Sequence, residues 1–99
     1  MKITFDPDKD KKNVEKHGVS LSEATKLNWD LLMCAPDVRS DYGELREIGF
    51  APIEQRVFNV VFVQRGDGFR IISLRKANLK EVIDYDQALK AHGVHSSNP

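Results

Sequence analysis

Apolar positions in this chain fall into short runs separated by polar stretches, and their spacing predicts mostly strands in the second half. Val57 to Val63 is apolar on both parities apart from Asn59, the pattern of a central strand covered on both faces. Phe69 to Arg75 is a second strand. The Arg65-Gly66-Asp67-Gly68 link between them has the glycines that a tight hairpin turn demands, which explains its Arg-Gly-Asp tripeptide without an adhesion role. Leu45 to Ala51 alternates imperfectly and is closed by Pro52. Leu31 to Ala35 is an apolar run bounded by Pro36, short enough for a strand but not assigned by its period, and Ile3 to Phe5 is a short candidate strand.

The helices are announced by their ends. Asp6 as N-cap, Pro7 at the first helical position and Asp8 in the first turn start one that Gly18 stops after His17, although Val14 is its only apolar side chain. Ser20-Leu21-Ser22-Glu23 reads as a capping box with a Val19 to Ala24 staple, predicting a second helix to Asn28 and hence an N-terminal helical hairpin. Asn78 and Glu81 cap a C-terminal helix to about Ala91, with Leu79, Val82, Ile83, Asp86 and Leu89 as its stripe. The expected fold class is α+β: a helical hairpin, an antiparallel sheet of about four strands and a C-terminal amphipathic helix.

Composition adds bounds. Ninety-nine residues with 40% hydrophobic and 30% charged content suit one domain, expected over 1–92 with 93–99 as a frayed tail. No run approaches the roughly 18 apolar residues of a membrane span, and the start lacks a signal-peptide apolar region, so the expectation is a cytoplasmic protein without a membrane partner. The single cysteine, Cys34, lies in an apolar run with no second cysteine for a disulfide or metal pair, and reads as a small buried residue.

Zero net charge hides a segregation. From Asp30 to Glu54 six acids face only Arg39 and Arg46, net −4; from Gln55 to Lys80 six bases face only Asp67, net +5. A concentrated basic segment in a neutral chain points to a local anion site rather than general coating of nucleic acid. Histidine spacing gives poor support for a metal, no cofactor is expected, and there is no nucleophile elbow or phosphate-binding glycine loop. Lys9, Asn13, Lys16 and His17 cluster on one side of the first helix, where the helix dipole favours a protonated His17. Arg70 and Arg75 are five apart. In a regular strand they face opposite sides and cannot line one site without a bulge, Arg70 sharing parity with Lys76, and Arg75 with Phe69 and Ser73.

Phe5-Asp6, Lys9, Asn13, Lys16-His17-Gly18-Val19, Asp41-Tyr42-Gly43-Glu44 with Arg46, Ile48-Gly49, Val60-Val61-Phe62, Arg65-Gly66, Arg70-Ile71-Ile72-Ser73 with Arg75 and Ala77, and Glu81 with Tyr85 together resemble the BrnT family of bacterial type II toxins. The resemblance runs in order over about nine-tenths of the chain, with Leu74 replacing the commoner Ala. It implies a RelE-like fold and a metal-independent endoribonuclease that cleaves RNA and inhibits translation. It also implies neutralisation by a BrnA-like ribbon-helix-helix antitoxin whose complex binds operator DNA. On that basis His17, Arg46, Arg65, Arg70 and Arg75 are the expected catalytic residues, with Lys16 and Glu44 assisting His17. Lys9, Lys16, Lys76 and Tyr85 are expected to bind substrate, Tyr85 by stacking unless it packs on the sheet. The competing readings are a non-catalytic module whose basic hairpin holds an acidic protein, and a DNA-binding repressor, which the near-neutral charge disfavours.

Overall fold

Residues 2–93 are described by a computed structural model, in which the chain runs β1 (Lys2–Phe5), α1 (Pro7–His17), two 3₁₀ turns (Leu21–Lys26 and Trp29–Leu31), β2 (Met33–Pro36), β3 (Glu47–Ile53), β4 (Arg56–Arg65), β5 (Gly68–Lys76) and α2 (Leu79–Ala91). Most of the tail expected over 93–99 lies outside the described residues. The strands form one sheet in the order β1-β5-β4-β3-β2. It is five-stranded and mixed, not four-stranded and antiparallel, because β1 pairs with β5 in parallel through Lys2↔Gly68 to Phe5↔Ile71. All other pairs are antiparallel.

The helical hairpin also needs correction. Ser20 does cap the Leu21–Lys26 segment, accepting from the Ser22 N–H, but its hydroxyl donates to Asp10 Oδ1 at 3.0 Å, and the Leu21 N–H reaches the same oxygen at 2.7 Å. With its start tied sideways to α1, the segment makes six residues of 3₁₀ helix rather than an α-helix. Leu31 joins the second 3₁₀ turn, so the strand drawn from that apolar run starts later, at Met33. Pro52 does not close β3. It pairs with Val57 beyond the reach of β2, which ends opposite Phe50, and so lies where no neighbour needs its missing N–H.

One face of the sheet makes the core. Phe58, Val60 and Phe62 of β4 with Ile71 and Leu74 of β5 meet Leu21, Ala24 and Leu27 from the first 3₁₀ turn. Trp29 closes one end edge-on to Phe62, 5.5 Å between ring centroids, while donating its indole N–H to Ala24 O. The opposite face carries Phe50, Asn59 and Arg75, which are cross-strand partners by register. There α2 docks through only part of its expected stripe: Val82 and Leu89 are half-buried, Leu79 and Ile83 are exposed, and Tyr85 is buried and donates its hydroxyl to Leu31 O at 2.7 Å. Cys34 is exposed on β2, not buried.

The parallel β1–β5 contact is close. A Cβ on Gly68 would overlap the Lys2 carbonyl oxygen and side chain. Gly68→Ala should therefore cost about 1–3 kcal/mol by overpacking, measured as a lower thermal midpoint; a midpoint equal to the parent's would show that β1 does not sit against Gly68.

Candidate functional site

A bulge in β5 decides where its cations go. Val61 pairs with Ser73 but the next residue, Phe62, pairs with Ile71, so Ile72 is left over. The extra residue resets the alternation. Arg75 faces Asn59 and Arg70 faces Val63, and because Asn59, Val61 and Val63 share a parity, both arginines stand on one face. The opposition expected of a regular strand is thus removed, and Arg75 groups with Ser73 and Arg70 while Lys76, opposite Phe58, points to the core face. Four residues along β4 still hold Arg70 about 13 Å from Arg75.

Around Arg75 the elements enclose a polar cleft of ≈ 220 Å³. Its floor is Asn59, Val61 and Ser73 with Ile48 of β3; Lys16 and His17 come from the end of α1, and Arg39 from the loop after β2. Two larger hollows, ≈ 520 and ≈ 680 Å³, are walled mainly by apolar side chains and have nothing comparable to hold an anion.

The two guanidiniums of the cleft are held, not loose. Arg75 donates through Nη1 to Glu81 Oε1 at 2.8 Å and through Nη2 to Glu81 Oε2 at 2.9 Å. Glu81 meanwhile completes the α2 capping box with Asn78 and accepts a long bond from Asn59. The Arg75 fork lowers the Glu81 carboxyl pKa to about 2. Arg39 repeats the arrangement. Its Nε and Nη2 grip Asp37 at 2.8 and 2.7 Å, which keeps that buried carboxylate ionised well below the usual range.

His17 behaves contrary to the helix-dipole expectation. Partial burial, then Lys16 and Arg75, lower its pKa below the ordinary histidine value, so the ring is neutral near pH 7. A neutral imidazole beside fixed cations can take a proton.

Of the residues expected from sequence, His17, Lys16 and Arg75 converge here. Arg70 lies further along the same face. Arg46 stacks its guanidinium on the Tyr42 ring, 4.0 Å from the centroid, and Arg65 pairs with Glu44 at 3.0 Å at the hairpin end, so neither lines the cleft. Lys9 is exposed on α1, and Tyr85 packs beneath α2 rather than offering its ring for stacking. Arg39, Asn59, Ser73 and Glu81 were not among the expected site residues. Asn59 did carry a signal, as the one polar residue in an otherwise apolar strand; Arg39 carried none beyond standing two residues after an acid.

A family model described as the ribonuclease toxin BrnT of a type II toxin-antitoxin system matches residues 5–81. The chain belongs to the BrnT family. The match begins at Phe5 and ends at Glu81, so it contains every residue of the cleft and the carboxylate that holds Arg75, but not Tyr85. No curated protein matches the chain. Membership makes it a ribonuclease toxin with an antitoxin as partner. Among the described residues, no helix is long and apolar enough to cross a membrane.

Glu81→Gln isolates the ion pair, since glutamine still serves in a capping box. The variant should lose about 1–3 kcal/mol at pH 7. The carboxyl is depressed when folded, so its contribution is whole above the ordinary value of 4.5 and is lost as pH falls through about 2. Denaturant titrations should show the gap to the parent closing over that range; a gap independent of pH would contradict the pairing.

Proposed function

We propose that the cleft around Arg75 is where RNA is cleaved, by attack of a ribose 2′-hydroxyl on its neighbouring phosphate. The observation that carries this reading is the convergence of a neutral imidazole with three cations in one polar hollow. Such a reaction needs a group to take the 2′-hydroxyl proton and positive charge where the phosphate oxygens gain negative charge. His17 supplies the first. Arg75 and Arg39 supply the second with the N–H groups that Glu81 and Asp37 leave unused, and Lys16 adds a mobile ammonium for the phosphate or the leaving oxygen. The products are a 2′,3′-cyclic phosphate and a 5′-hydroxyl end.

Protein side chains can fill each of these roles, which supports a metal-independent reaction that inhibits translation in the cytoplasm by removing RNA. Arg70 and Arg46 extend the basic face toward the flanking strand of the substrate. The order of a first strand and helix, then the remaining strands, then a closing helix supports a RelE-like classification, and the family supports an antitoxin of BrnA-like ribbon-helix-helix type that neutralises the toxin and carries the complex to operator DNA.

Replacing His17 with Ala should lower the cleavage rate by roughly 10²–10⁴-fold, and Arg75→Ala by roughly 10²–10³-fold, measured on a synthetic RNA with folding checked by circular dichroism. The base form of His17 grows with pH through its lowered pKa, so the parent's rate should rise with pH with a midpoint below 6.5. Folded variants that cut like the parent, or a rate whose midpoint lies at or above the ordinary histidine value of 6.5, would contradict the assignment.

A further inference from the structure

We propose that Asn13, which does not itself line the cleft, is the positioning residue that sets His17 against Arg75. The inference rests on the cleft being the place where RNA is cut. Asn13 is the only buried residue of α1. Its Oδ1 accepts from the Leu74 N–H at 3.2 Å, and its Nδ2 donates to Leu74 O at 2.7 Å and to Val19 O at 2.8 Å. Both Leu74 backbone groups lie on the edge of β5 that β1 leaves open, since the β1 ladder ends at Phe5↔Ile71. The carboxamide stands in for a strand there.

Its place in the chain gives that bond a consequence for the site. Asn13 is one helical turn before His17, Val19 is two residues after it, and Leu74 adjoins Arg75, so one side chain ties both flanks of the imidazole to the neighbour of the guanidinium. Apolar packing cannot do this for α1. Its only apolar side chain, Val14, is 44% exposed, and the Asp10 bonds hold the helix to the 3₁₀ turn rather than to the sheet. Among the described residues, Asn13 alone hydrogen-bonds α1 to the sheet. Without it the core of Leu21, Phe62 and Ile71 stays filled while α1 is free to slide along β5, carrying His17 away from Arg75.

The test uses the full chain with Asn13→Ala and Asn13→Ser, each checked for folding by circular dichroism. Three quantities are read: kcat and KM on a synthetic RNA, and the His17 titration by NMR. The expected result is a kcat lower by roughly 10–100-fold, the scale of a misplacement of about 1 Å, with KM little changed. The His17 pKa should move up toward 6.5 as Arg75 recedes. Folded variants that keep the parent's kcat and the parent's His17 titration overturn the proposal. So does failure of both variants to fold, which would make Asn13 purely structural. His17→Ala, run alongside, separates the two levels: if it cuts like the parent the cleft reading itself fails, whereas if it is inactive and the Asn13 variants are not impaired only the positioning role fails.

Discussion

The bidentate pair between Arg75 and Glu81 is the constraint on which the rest of the site depends. A guanidinium clasped through Nη1 and Nη2 cannot rotate without breaking both bonds, so the charge is aimed before any ligand arrives. Glu81 is also the third residue of α2 and closes its capping box, which makes one carboxylate the joint between the end of β5 and the start of the last helix. Partial burial of the pair, with side-chain exposures of 34% and 20%, limits the desolvation penalty while shielding it from full screening by salt. Its value lies more in direction than in stability.

Direction matters because the cleft concentrates like charges. Arg39 and Arg75 repel one another, and Lys16 and Arg75 both act against a protonated His17, a collection that would spread apart were each arginine not tied to its own acid. Asp37 and Glu81 therefore do two things: they make the cluster tolerable in the folded protein, and they hold unused N–H groups ready for an anion. Partial burial, helped by the same field, lowers the His17 pKa. On the proposed reading, a site that lowers the pKa of its base by burial and by the cations meant for the phosphate couples proton abstraction to charge stabilisation in one arrangement.

Much of this architecture was legible in the chain, and the exceptions have physical reasons. Caps gave α1 and α2 because Asp6, Pro7, Gly18 and the Asn78 to Glu81 box are local signals. Hydrophobic runs gave β4 and β5. The parallel partner of β5 was not legible, since pairing of Lys2–Phe5 with residues more than sixty positions away leaves no local trace. Nor was the 3₁₀ turn, whose Ser20 and Leu21 are tied to Asp10, a residue on another element. In α2 the apolar stripe was only partly right because the helix docks also through Tyr85 and the Glu81 ion pair, leaving Leu79 and Ile83 outside. The site divides the same way. His17, Lys16 and Arg75 could be named from charge and resemblance; Arg39 comes from an irregular loop, and the bulge at Ile72 that turns Arg70 to the face of Arg75 exists only once β4 is paired.

The central claim is that RNA is held in the cleft between α1, the Arg39 loop and β5. Its most direct test is an NMR titration of the chain with an RNA whose attacking 2′-hydroxyls are replaced by hydrogen, so that it binds without being cut. Resonance shifts are predicted to converge on Lys16, His17, Arg39, Ser73 and Arg75, fading toward Arg65 at the hairpin end. Shifts confined to the Arg65 turn or to the exposed side of α2, with those five residues unmoved, would contradict the account.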